Sequence, residues 1–177
     1  LPAVNRSRVD PEASSSEIND QVADADASGG VYEIRRDVLA ALDPDVVVSQ
    51  GICDVCAVDE VLVREAVADL GLDAEGVTTD PHSLADLYRD IEQIGAALDR
   101  EDAAAALVAD LQGRVEAVRS AVGDPDDWPR VTVLDWLDPV MVAGHWVPEM
   151  VAIAGGSYGL ADPGARSRPR EFQTLLD

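Results

Sequence analysis

Not one of the 177 residues is a lysine. All thirteen basic side chains are arginine, and they face 35 acidic ones, leaving a net charge of −22. A polyanionic partner needs a basic face, and Arg166, Arg168 and Arg170, close together in a short loop, are the nearest approach to one. The composition therefore argues against nucleic-acid binding. No run of roughly eighteen apolar residues occurs, so no segment reads as membrane-spanning. No signal peptide is visible. A Ser-His-Asp constellation and a glycine-rich phosphate loop are both missing, and the spacing of Asp135, Asp138 and Glu149 offers no acid–base pair. An enzyme is not expected. Cysteine is nearly absent: Cys53 and Cys56 are the only two. A structural zinc site needs four ligands, and there is no second pair to supply them.

What is present begins with the acid. Asp outnumbers Glu by 24 to 11, Ala and Val are abundant, and there is one Phe. Such a surface repels itself in dilute buffer and is screened in concentrated salt. The composition resembles that of haloarchaeal proteins. A disordered acidic chain is ruled out because 47% of the residues are hydrophobic and fall in periodic blocks.

Along the chain, residues 1–30 are polar and punctuated. A short helix is expected from a capping Ser16 through Ala25, followed by a Gly29-Gly30 break. Val31 to Ile34 reads as a short strand or turn, and Asp37 to Leu42 as a helical turn. Val46 to Gln50 is a continuous β-branched run, the pattern of a buried parallel strand. Val58 to Leu70 has amphipathic helical spacing closed by Gly71, and Val77 to Thr79 is a second strand. Strand, helix and strand in so short a span make a βαβ unit and hence a parallel sheet. Ser83 caps a helical tract reaching Val122. At 1.5 Å per residue it would span about 60 Å, which suits a rigid spacer; two helices joined near Arg100 to Asp102 is the alternative. Gly123 to Asp127 is a linker.

Two loops carry chemistry. Gln50-Gly51-Ile52-Cys53-Asp54-Val55-Cys56 follows the first parallel strand, and ligands of open α/β sheets gather at the carboxyl ends of strands. A helix N-terminus also lowers a thiol's pKa. The cysteine pair is open to four readings: a metal pair, a thioredoxin-like redox pair, a loop lining a ligand cleft, or inert thiols. The second loop is Asp135 to Gly156. A strand from Val131 to Leu134 leads into Trp136 and Trp146, which bracket Asp138-Pro139 and Gly144-His145. A helix spaced on Val147, Met150, Val151 and Ile153 then stops at Gly155-Gly156. Two exposed indoles are costly unless something covers them, although two ordinary core tryptophans explain the pattern as readily. His145 sits beside Trp146, and a neutral imidazole is a good ligand for cobalt or iron. His82 reads as a helix-entry residue.

The Asp135–Gly156 segment, with Leu42-Asp43-Pro44-Asp45-Val46-Val47-Val48 upstream, Glu17-Ile18 and the long helix after His82, resembles the cobalamin-type periplasmic-binding proteins. These are the substrate-binding components of vitamin B12, haem and iron-siderophore ABC importers, here in a haloarchaeal version with a Cys-Asp-Val-Cys loop. The resemblance implies an α/β fold of two Rossmann-like lobes with parallel sheets joined by a long helical backbone. It divides the chain into a partial N-terminal lobe at 1–82, a connecting helix at 83–122 and a partial C-terminal lobe at 129–177, a fragment truncated at both ends. It further implies cobalamin held between lobes by Gln50, Gly51, Cys53, Asp54 and Cys56 on one side and Trp136, Leu137, Asp138, His145 and Trp146 on the other. No cofactor is required in that role. Glu60 and Glu171 would dock arginines of the ABC transporter permease. The expected location is extracellular, at the cell surface through a lipid anchor, with a cytoplasmic binder left open. The alternatives are a haem or ferric-siderophore receptor of the same fold, or a thiol redox protein using Cys53 and Cys56.

Overall fold

The computed structural model describes residues 2–27, 30–52, 58 and 60–175, and these divide into two compact units, 1–80 and 81–177. In the first unit, β1 (Asn5–Ser7) pairs antiparallel with β2 (Tyr32–Ile34), placing Arg6 opposite Glu33 in an ion pair. Between them lies α1 (Ser15–Ala27). Its cap is Ser14 rather than the expected Ser16. The Ser14 hydroxyl accepts the Glu17 backbone N–H at 3.4 Å, and the Glu17 carboxylate accepts the Ser14 N–H at 2.9 Å. That reciprocal box requires an acid three residues after the hydroxyl, and only Ser14 has one.

Helix α2 (Arg36–Leu42) leads to β3 (Val46–Gln50), α3 (Glu60–Leu70) and β4 (Glu75–Thr79). Strands β3 and β4 are parallel, in register from Val46 opposite Glu75 to Gln50 opposite Thr79, completing the expected βαβ unit. Helix α3 ends where Gly71 takes φ +64°, a left-handed conformation that costs glycine little. The core gathers Val31, Leu39, Ile52, Ala66 and Val77. Strand β3 itself is less covered than its sequence suggests, with Val48 49% exposed. Its continuous apolar run fits burial on both faces, but among the described residues the sheet has two strands.

The second unit opens with α4 (Leu84–Ala97), and here Ser83 is the cap. Its hydroxyl accepts the Asp86 N–H at 3.1 Å, and the Asp86 carboxylate accepts the His82 N–H at 2.9 Å. The tract from Ser83 to Val122 is not one spacer. It breaks at Leu98–Arg100, where Asp99 takes φ +53°, and resumes as α5 (Glu101–Ala121). The helices pack as an antiparallel hairpin: Gly95 lies so close to Ala104 that a Cβ on it would stand 2.4 Å from the alanine methyl, while Leu84 and Val118 line one apolar cavity at the far end. Leu87 and Ile91 of α4 and Leu111 and Val115 of α5 line that same cavity, and this decides for two helices.

A single turn of 3₁₀ helix (Pro125–Asp127) follows, then β5 (Leu134–Leu137), β6 (Val140–Val142), α6 (Val147–Ile153), β7 (Arg168–Pro169) and a last 3₁₀ turn (Phe172–Leu175). The described sheet of this unit is antiparallel in the order β5-β6-β7, with one isolated parallel bridge between Arg130 and Ser157. The strand expected at Val131–Leu134 lies three residues later, because residues 129–131 bond instead to Ser157. Helix α6 stops as expected: Gly155 takes φ +83°, and the Gly156 N–H closes back on the Val151 carbonyl at 2.8 Å. A Cβ at Gly155 would lie 2.7 Å from Val122 Cγ1, so this end of α6 abuts the exit of α5.

Candidate functional site

In the first unit the site residues lie where β3 ends. Gln50 is the last residue of β3, and the Gly51 N–H continues the parallel ladder to the Thr79 carbonyl at 2.7 Å. Gly51 is close-packed: a Cβ would come within 3.2 Å of the Thr78 methyl. Ser49 and Thr78 hydroxyls meet across the strands at 3.2 Å. Gln50 lines a cavity of about 320 Å³ with Tyr32, Ile34, Val48 and Val63. Cys53, Asp54 and Cys56 lie outside the described residues. Glu60 occupies the first turn of α3 and pairs with Arg64 one turn on.

In the second unit the segment expected as a loop is largely a hairpin. Trp136 sits within β5, half-buried, and its indole N–H donates to the Asp138 carbonyl at 2.8 Å. That bond satisfies the polar edge of the ring within the hairpin. Leu137 is 75% exposed and Asp138 begins the connection to β6. Trp146 is the N-cap of α6 and is also half-buried. His145 takes φ +53°, its N–H donating to the Ala165 carbonyl at 2.5 Å and its own carbonyl accepting from Gly164 at 2.9 Å. Its ring lies 5.5 Å from His82 and 6.0 Å from Trp146, with Nε2 out of solvent. The His145 ring thus lies near its sequence neighbour Trp146, and His82 joins them. Trp136 makes no ring contact among the described residues. Glu171 is exposed just after β7.

A hydrogen-bonded brace supports the hairpin, and no sequence motif announces it. The Ser167 hydroxyl accepts the Gly144 N–H at 3.0 Å and donates to the Asp135 carboxylate. The Tyr158 hydroxyl reaches the carbonyls of Ala143 at 2.7 Å and Val133 at 3.2 Å. Burial, then the nearby Asp135 carboxylate, raises the Tyr158 pKa above its ordinary 10.0. Glu149 is spent on the Leu84 N–H at 2.9 Å. Arg166, Arg168 and Arg170 line a cavity of about 350 Å³. Their alternation in the sequence is the signal that could have found it, since period two puts side chains on one face of a strand.

Among the described residues no group of three His, Cys, Asp or Glu side chains is placed to hold a metal ion, and no helix is long and apolar enough to cross a membrane. What the arrangement can do is present apolar and aromatic surface at strand ends. No curated protein matches the sequence. Solved structures share its fold. An ABC transporter substrate-binding protein from Listeria monocytogenes is 24% identical at a TM-score of 0.59, matching 82% of this chain and 53% of that one. The periplasmic haem-binding protein of a Roseiflexus species is 22% identical at 0.62, over 81% of this chain and 54% of that one. The periplasmic vitamin B12 binding protein of Vibrio cholerae is 16% identical at 0.56, over 81% and 54%. The chain spans about half the length of each of these proteins. The family signature of periplasmic binding proteins runs through residues 4–165, across both units and both site-bearing segments. The chain belongs to the periplasmic binding protein family.

Proposed function

We propose that this chain is part of the substrate-binding component of an ABC importer and captures a metal chelate, a corrinoid such as cobalamin, for delivery to a permease outside the cytoplasm. The observation that carries the reading is Trp136. Its N–H is already satisfied by Asp138, and it leaves an indole half open on a family scaffold. An apolar, flat ligand is what such a surface accommodates best. Family membership supports the coarse role, and a vitamin B12 binder and haem binders stand among the similar folds. In this proposal the ligand-contacting residues are Gln50, Gly51, Cys53, Asp54 and Cys56, and Trp136, Leu137, Asp138, His145 and Trp146. Glu60 and Glu171 meet the permease.

Titration with cyanocobalamin, followed by tryptophan fluorescence and by retention of the chelate on dialysis, tests it. We expect strong quenching, and Trp136→Ala should weaken binding by about 1–3 kcal/mol, the range of lost aromatic contacts. Trp128 should contribute little, since its N–H is engaged locally with the Gly123 carbonyl at 3.1 Å. Haem retained in place of cobalamin would overturn the corrinoid and keep the metal-chelate class. Retention of neither chelate, nor of a ferric hydroxamate, would overturn the reading as a whole.

A further inference from the structure

The face of the second-unit sheet turned away from Trp136 bears a different chemistry. Trp136 pairs with Met141, and Met141 with Pro169, so these three share one side. Arg168 pairs with Val142, and the Arg170 N–H bonds the Val140 carbonyl at 2.9 Å, so both arginines share the other side. Arg166 joins them from the preceding loop, and the three guanidinium-bearing side chains line one cavity of about 350 Å³ with Val142, Leu160 and Asp162.

We propose that this cavity is an oxyanion site, taking a phosphate group or a small polycarboxylate. With 35 acidic residues to thirteen arginines, a carboxylate partner is the default for any guanidinium here. Arg6, Arg8, Arg36, Arg64, Arg89 and Arg119 each have one, whereas Arg35 and Arg100 donate to backbone carbonyls instead, so what sets Arg166, Arg168 and Arg170 apart is that three such guanidiniums share one cavity. Among the described residues Arg166, Arg168 and Arg170 enter no ion pair, and a single acid, Asp162, shares their cavity. All three are exposed, so solvent and salt screen their repulsion, and what suits them to an anion is that each guanidinium offers a planar fork of donors matched to two oxygens.

The backbone that carries them is fixed in advance. Ala165 accepts from His145, the Ser167 hydroxyl accepts from Gly144, and a Cβ on Gly144 would stand 2.2 Å from the Ala165 carbonyl oxygen. Arg166 is thus held between two anchored neighbours. Arg170 donates one N–H to the Leu160 carbonyl at 3.3 Å, which spans the cavity and leaves further donors for a ligand. This site does not depend on the ligand proposed for the Trp136 face.

Equilibrium dialysis of the whole chain against labelled inorganic phosphate, and separately against citrate, in potassium chloride at neutral pH tests it. One saturable site is expected. Arg166→Gln with Arg168→Gln should weaken it by about tenfold or more, as for lost charge-assisted hydrogen bonds. Asp162→Asn should tighten it, and Arg119→Gln, whose guanidinium pairs with Glu116 on α5, should leave it unchanged. Phosphate alone binding would define a tetrahedral monoanion or dianion site, and citrate binding a polycarboxylate site. No saturable binding of either, binding that survives the double substitution, or equal weakening by Arg119→Gln would overturn the proposal. Cobalamin titration reads the other face, so the two failures are distinguishable.

Discussion

The two units build their edges from opposite kinds of sheet. The first sets β3 and β4 parallel, with a helix between them, and delivers Gln50 and Gly51 at the carboxyl end of the pair. The second folds β5 and β6 directly against each other and delivers Trp136 and Leu137 from within the hairpin. A parallel pair needs a crossover segment between its strands, whereas a hairpin joins neighbouring strands directly and holds its residues through short-range backbone contacts.

Salt should separate the units most. Residues 1–80 carry 18 acidic side chains against 5 arginines, and residues 81–177 carry 17 against 8. Self-repulsion per residue is greater in the first unit, and screening shortens to about 3 Å at molar salt. On dialysis from concentrated potassium chloride into dilute buffer, circular dichroism should report loss of structure. Amide exchange should show residues 1–80 opening first. Equal protection of both units at both ends would remove halophilic adaptation from the argument.

The same substitution should then act with opposite sign in the two units. Gly144→Ala forces a methyl into the backbone of residues 165–167, where the nearest atom would be 2.2 Å away, and should destabilise the second unit by about 3 kcal/mol. Gly76→Ala places its methyl in β4 with nothing within 4 Å and should stabilise the first unit by about 0.5–1 kcal/mol, through the entropy of the unfolded chain. Thermal melts of the two variants check the contrast, and matching shifts would break it.

The smallest contrast is in pH. The Ser14 hydroxyl, then the Ser14 N–H, hold the Glu17 carboxyl below its ordinary 4.5, so protons prefer the unfolded chain there. Support from that box is full above about pH 4.5 and fades as pH falls through the lower folded value. Tyr158 runs the other way. Its pKa is raised above 10.0, so the unfolded chain ionises first; its support is full below pH 10 and fades as pH rises through the folded value. Residue-resolved exchange should find the α1 N-terminus loosening in acid and the Tyr158 brace loosening in alkali. Tyr158→Phe should abolish the alkaline step, and an alkaline step that survives it would assign the loss to another group.

Legibility followed the same division. Strand β3 was readable to the residue because a β-branched run between proline and glycine has few alternatives, and Ser83 and Gly155 were readable as helix punctuation. The β5–β6 hairpin was not. Its strands are four and three residues long and cross at Asp138-Pro139, too short for alternation to emerge from a window of aromatic and acidic residues. The α4–α5 hairpin was half legible: a junction near Arg100 to Asp102 was one of two readings, but the turn at Asp99 lacks glycine or proline to mark it. The arginine cavity lay hidden because its alternation spans β7, a strand of two residues, and the loop before it. For the proposed binding face, Trp136, His145 and Trp146 were visible by residue type. The brace of Asp135, Ser167 and Gly144 depends on contacts 23 and 32 residues apart, which no local pattern encodes.

The contact between Gly155 and Val122 gives helix α6 a mechanical character. Seven residues make a stiff rod of about 10 Å, with Trp146 at one end and the exit of α5 pressed against the other. A glycine with no side chain leaves no flexible padding at that joint, so coupling along the rod is expected to be testable at the indole. Val122→Ala would put slack into the linkage, and the Trp146 indole resonance should broaden while that of Trp136, anchored to Asp138, stays sharp.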